Sequence, residues 1–73
     1  MVVLMDIVSI TDIESSINFY IKRHPPAAHG VLGPEVRVLA EVYGLMIFER
    51  RRQVERSYLK PETFSLIEAA LGA

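Results

Sequence analysis

Five of the chain's eight basic residues fall within eleven positions: Arg50, Arg51, Arg52, Arg56 and Lys60. Such a cluster is the pattern that contacts phosphate, and in a helix-turn-helix reading it anchors a duplex while the following helix enters a major groove. The helix expected there, residues 61–71, carries Glu62 and Glu68 and no Lys or Arg. That is the wrong sign for a helix lying against phosphates. Glu49 and Glu55 also dilute the run, and the net charge is −1. The plainer reading is a helix C-terminus whose cations complement the dipole. Nucleic-acid contact through Arg50, Arg51, Arg52, Arg56 and Lys60 is therefore kept as the alternative expectation.

The remaining reactive side chains do not assemble into a known chemistry. His24 and His29 are five apart, without the third and fourth ligands that a zinc site needs. The serines lack a G-x-S-x-G elbow, and Asp6 and Asp12 are placed for capping or for solvent. Glu35, Glu41 and Glu49 spread around a helix instead of converging, and Gly30 and Gly33 are too few for a phosphate loop. No catalytic, cofactor or metal site is expected, and the chain reads as a non-enzyme.

The elements that carry these residues must come from a single domain, since the chain has 73 residues. A domain this small buries only about 60% of the surface its unfolded chain exposes, so its core is marginal without help. With no cysteine, disulfides and thiolate zinc are excluded. What remains is good helix packing or a partner chain. Hydrophobic residues make up 51% of the chain and charged residues 23%, a globular composition. No stretch approaches the roughly 20 apolar residues that span a bilayer, and residues 1–8 lack the features of a secretion signal. A cytoplasmic protein without membrane contact is expected, with Met5 a second candidate start.

Residues 1–10 are rich in β-branched side chains but have no second strand-like run to pair with. They read as an extended arm, packed on the helices or paired with the arm of a second chain. Thr11-Asp12-Ile13-Glu14 fits a capping box that opens a helix over about 12–24. Ile13, Ile17, Tyr20, Ile21 and His24 form its buried stripe, with Phe19 on the flank and Ser15, Ser16, Asn18 and Lys22 facing water. Pro25-Pro26 stops that helix, and residues 25–33 form a connector from which Val31 and Leu32 tuck back onto the core.

The stretch from Pro34 to Arg52 organises the rest. Gly33 as N-cap, Pro34 at the first position and Glu35 in the first turn open a helix expected to end near Arg52. Val36, Leu39, Ala40, Val42, Tyr43, Met46 and Ile47 cover one broad face at 100° per residue. Val38 and Leu45 sit beyond its edge, and Phe48 falls among the polar residues. Gln53 to Lys60 reads as a partly helical connector whose Val54, Tyr58 and Leu59 pack inward. Pro61 and Glu62 open a third helix over about 61–71, with Phe64, Ile67 and Leu71 as its stripe and Gly72 at a left-handed C-terminal cap.

Two blocks, Ile10-Thr-Asp-Ile-Glu-Ser-Ser-Ile-Asn18 and Pro34-Glu-Val-Arg-Val-Leu-Ala-Glu-Val-Tyr-Gly-Leu-Met-Ile-Phe-Glu-Arg50, carry a family resemblance. The chain resembles a small, mostly betaproteobacterial family of uncharacterised proteins, a domain of unknown function. The second block is the more specific. Members often carry a Trp near the position of Tyr20 and a Cys just before the Pro-Glu pair, whereas this chain has Tyr20 and Gly33. Any role of that thiol is absent here. The resemblance implies a short bacterial protein and transfers no active site.

The expected fold is thus all-α, one three-helix domain over residues 1–73 with a short N-terminal arm. The expected function is a non-enzymatic protein–protein interaction or adaptor module that self-associates as a homodimer or binds another protein. Val38, Leu45 and Phe48, with Phe19, form the candidate interface, and Gly44 lets another backbone approach; the plainer alternative is that the N-terminal arm and the Val31-Leu32 loop cover them within the monomer. Burying three such side chains stabilises by about 1.5–3 kcal/mol each, a large effect for a small core. A small helix-turn-helix-like DNA-binding regulator is the alternative.

Overall fold

The computed structural model describes residues 6–23 and 33–72. His24, His29, Val31 and Leu32, and residues 1–5 of the expected arm, lie outside the described residues. The order of elements is β1 (Ile7–Ser9), α1 (Ile10–Arg23), α2 (Pro34–Phe48), β2 (Gln53–Glu55), a 3₁₀ turn (Arg56–Tyr58) and α3 (Pro61–Gly72). Three helices therefore form the domain as expected, with a two-stranded sheet added.

That sheet corrects the reading of residues 7–9 as an unpaired arm. β1 pairs antiparallel with β2 of the same chain, with Val8 opposite Val54. The ladder continues at both ends: the Ile10 N–H donates to the Arg52 carbonyl and the Arg56 N–H to the Asp6 carbonyl, both at 2.8 Å. Two three-residue strands are too short to be stable alone. They hold because Val8 and Val54 are buried in the common core.

The start of α1 is set by Ser9, two residues before the expected Thr11 cap. The Asp12 N–H donates to Ser9 Oγ at 3.1 Å, and the Ser9 N–H donates to Asp12 Oδ2 at 2.9 Å. This reciprocal pair is a capping box with Asp as the acid. Glu14, the acid of the expected box, instead accepts from the Tyr43 hydroxyl at 2.7 Å. Ile13 and Tyr20 are buried and Ile17 and Ile21 half-buried, as the stripe requires. Ser16, expected to face water, is fully buried between them. Its hydroxyl donates to the Asp12 carbonyl at 2.8 Å, which removes the cost of an unpaired polar group.

α1 packs against both other helices, whereas α2 and α3 touch only lightly. The helix at the centre of the packing is therefore α1, not α2. The Tyr20 hydroxyl donates to the Leu66 carbonyl at 2.7 Å and ties α1 to α3. Burial raises the Tyr20 pKa, with the Glu35 carboxylate adding to the shift and Arg23 opposing it. Ile13, Leu39, Met46, Ile67 and Val8 are fully enclosed and form the centre of the core.

α2 ends at Phe48, four residues short of the expected Arg52. Glu49 closes the last turn, and Arg50 adopts φ 59°. The Arg50 N–H donates to the Ile47 carbonyl (3.1 Å) and the Arg51 N–H to the Met46 carbonyl (2.8 Å), a Schellman motif. Glycine usually occupies that left-handed position. An arginine there costs about 1 kcal/mol, which the two bonds and the sheet offset.

In the connector, Val54 and Leu59 are buried and Tyr58 half-buried, as expected, but its first half is strand. α3 buries Phe64, Ile67, Ala70 and also Thr63, while Leu71 is partly exposed. Gly72 remains helical and does not take the left-handed conformation expected of it.

Candidate interaction site

Where α2 and α3 touch only lightly, a groove of about 440 Å³ lies between α2 and the start of α3. Val38, Val42 and Leu45 form its α2 wall. Tyr58, Leu59 and Thr63 form the opposite wall, and Glu41, Glu49, Lys60 and Glu62 line its rim. Two of the residues singled out from the sequence, Val38 and Leu45, therefore meet in one apolar groove. Leu45 is 46% exposed, and one turn on, Phe48 is 84% exposed. Phe48 projects beside the groove without lining it.

The other candidates lie apart. Phe19 is half-buried on α1, edge-on to Tyr20 with centroids 5.0 Å apart and with the Arg23 guanidinium 5.7 Å from its ring. It packs against the core and does not line the groove. Gly44 has none of the described residues within 4 Å of where a Cβ would stand. Ile47, placed on the core face by its angle, is 52% exposed in the last turn of α2. The wall formed by Tyr58, Leu59 and Thr63 was not visible in the sequence as part of a surface. The first two read only as inward-packing residues of a connector.

The basic residues are divided between internal contacts and solvent. Arg51 Nε donates to Glu49 Oε1 at 2.8 Å, and the Tyr58 hydroxyl donates to the same oxygen at 3.0 Å. The Arg51 guanidinium also lies 5.3 Å from the Tyr58 ring centroid. The Arg51 bond, then the Tyr58 bond, lower the Glu49 pKa. For Tyr58, burial first and the Glu49 bond second raise the pKa. Arg56 stacks over Phe64 at 4.3 Å and covers one side of a core ring. Arg50, Arg52 and Lys60 are exposed, and Arg51–Glu49 is the one ion pair among the described residues.

A second cleft, of about 650 Å³, lies between β1, the 3₁₀ turn and α3. Asp6, Glu55 and Glu68 border it. They do not converge: among the described residues no group of three His, Cys, Asp or Glu is placed to hold a metal ion. No helix among the described residues is long and apolar enough to cross a membrane.

No curated protein and no solved structure matches the chain. A family model does, over residues 6–72, which takes in both strands and all three helices. The chain belongs to the family described as "Protein of unknown function (DUF3717)".

Proposed function

We propose that this chain is a non-enzymatic, cytoplasmic protein–protein interaction module that associates with itself through the outer side of α2. The observation that carries this reading is the 84% exposure of Phe48 beside the 46% exposed Leu45, at the mouth of an apolar groove. Burying a phenylalanine stabilises by about 1.5–3 kcal/mol, and a domain with so small a core gains much from it. Scattered single apolar residues need no explanation, but two of them one turn apart against a groove make a continuous patch. The test is light scattering on a sizing column over a range of protein concentrations. A dimer that forms as concentration rises is expected, and a monomer at every concentration overturns the reading.

The second reading, DNA binding, draws on the exposed Arg50, Arg52 and Lys60. It has weaker support. Arg51 and Arg56 are engaged with Glu49 and Phe64, and α3 presents Glu62 and Glu68. A fluorescence titration with random-sequence duplex at two salt concentrations separates the two readings. Binding that falls steeply with salt supports the DNA reading, and no binding at low ionic strength ends it.

A further inference from the structure

The groove and the residue beside it are alike in apolar character and opposite in flanking charge. Phe48 is a bulky apolar plug, and the groove is an apolar socket of about 440 Å³. Within four residues of the plug come Arg50 and Arg52, both exposed and outside the one ion pair among the described residues. On the socket's rim, Glu49 is held by Arg51 and Tyr58. Among the described residues lining the groove, that leaves Glu41 and Glu62 as the available carboxylates, against the single cation Lys60. The plug is positive and the socket is net negative.

Position adds a second constraint. Phe48 and Leu45 are three residues apart on one helix, so plug and socket belong to the same patch of surface. A self-complementary contact within one patch closes on itself around a two-fold axis, whereas plug and socket on distant surfaces would propagate into a filament. Phe48 does not line the groove of its own chain, which leaves it free to enter the groove of another copy. A second copy supplies an aromatic plug with flanking cations.

Resting on the self-association reading above, we propose that two copies interlock isologously, Phe48 of each entering the α2–α3 groove of the other. Arg50 and Arg52 of each copy then face Glu41 and Glu62 of the other. The apolar plug supplies affinity, and the charges select the register and reject other apolar occupants.

The experiment uses a socket-reversed chain (Glu41→Lys, Glu62→Lys) and a plug-reversed chain (Arg50→Asp, Arg52→Glu), with Asp chosen because it tolerates the left-handed backbone at position 50. Each reversed chain alone sets like charges against each other at both contacts, and its dimer dissociation constant should rise about tenfold or more. An equimolar mixture restores opposite charges at both contacts and should recover a dimer of near-original affinity. That recovery also shows both variants to be folded. Lys60→Glu should tighten the wild-type dimer and Phe48→Ala should weaken it at least tenfold. Reversed chains that dimerise like the parent, or a mixture that stays monomeric, overturn the proposal. A wild-type chain that is monomeric throughout overturns self-association as well. A wild-type dimer indifferent to Phe48→Ala and to the reversals overturns the interlocked arrangement alone.

Discussion

α1 and α2 are similar in length and both rich in apolar residues, yet they meet their surroundings differently. α1 lies between the other two helices, and its apolar residues Ile13, Ile17, Tyr20 and Ile21 are buried or half-buried. Even the buried hydroxyl of Ser16 is bonded internally. α2 buries Val36, Leu39 and Met46 against the core but leaves Leu45, Ile47 and Phe48 about half exposed or more. The residue types do not explain this difference. What matters is whether another element lies opposite, and on the outer side of α2 the described residues supply only the 3₁₀ turn and the tip of α3. Apolar residues there are consistent with a partner surface.

Truncating side chains on the two sides of α2 should give the largest difference in stability. Leu39→Ala removes a fully enclosed side chain and should destabilise the fold by about 2–5 kcal/mol, read from urea unfolding. Phe48→Ala deletes a larger side chain. At protein concentrations low enough to hold the monomer, it should change stability by no more than about 0.5 kcal/mol. A large loss for Phe48→Ala in the monomer would mean that this side of α2 is part of the core.

The two helices also differ at their ends. α1 opens with a capping box from Ser9 and Asp12, whereas α2 opens with Gly33 and no side-chain cap. Ser9→Ala should cost about 1 kcal/mol in unfolding free energy. Thr11→Ala should cost less than about 0.5 kcal/mol, because among the described residues the exposed Thr11 hydroxyl bonds only to Ser9 Oγ and caps no backbone N–H. Equal losses would return the cap to Thr11.

These ends show how far the sequence is legible. Ser9 and Thr11 each have an acid three residues later, so two overlapping boxes compete and the chain alone does not rank them. Tertiary structure decides: β1 pairs through Ser9 and fixes its backbone as extended, leaving it to cap. β2 was hidden because a three-residue strand with one apolar residue, Val54, carries no measurable alternation. The start of α3 and the stripes of α1 were readable because proline placement and 3.6-residue spacing are local signals. The groove was only half readable. Val38, Leu45 and Phe48 announced themselves as apolar residues at the wrong angle, but their facing wall depends on where α2 ends.

That end defied the sequence because an arginine holds the left-handed position where glycine is the usual signal. Arg50→Gly should relieve the strain and raise stability by up to about 1 kcal/mol, less what glycine adds to the entropy of the unfolded chain. Arg50→Val should lower it, since a β-branched residue fits that conformation poorly. If both substitutions destabilise equally, the Arg50 side chain contributes a contact of its own, and the contrast between a strained α2 end and a relaxed α1 start loses its basis.

The smallest effect concerns the polar cluster next to the groove. Glu49 accepts from Arg51 first and Tyr58 second, and these bonds hold its pKa below the 4.5 of an ordinary glutamate. With the folded value below the unfolded one, the stabilisation is fully present above 4.5 and is lost as pH falls through the lower folded value. A carboxyl titration of Glu49 by NMR should therefore show a midpoint below 4.5. Arg51→Ala should move that midpoint up further than Tyr58→Phe, because the guanidinium adds a full positive charge to its bond, which is also the shorter, 2.8 against 3.0 Å. The reverse order would place the guanidinium mainly over the Tyr58 ring, where it already lies 5.3 Å from the centroid. Glu49 would then be held mainly by Tyr58, its charge uncompensated beside Glu41 and Glu62 on the rim, and the outer side of α2 would carry one more effective negative charge.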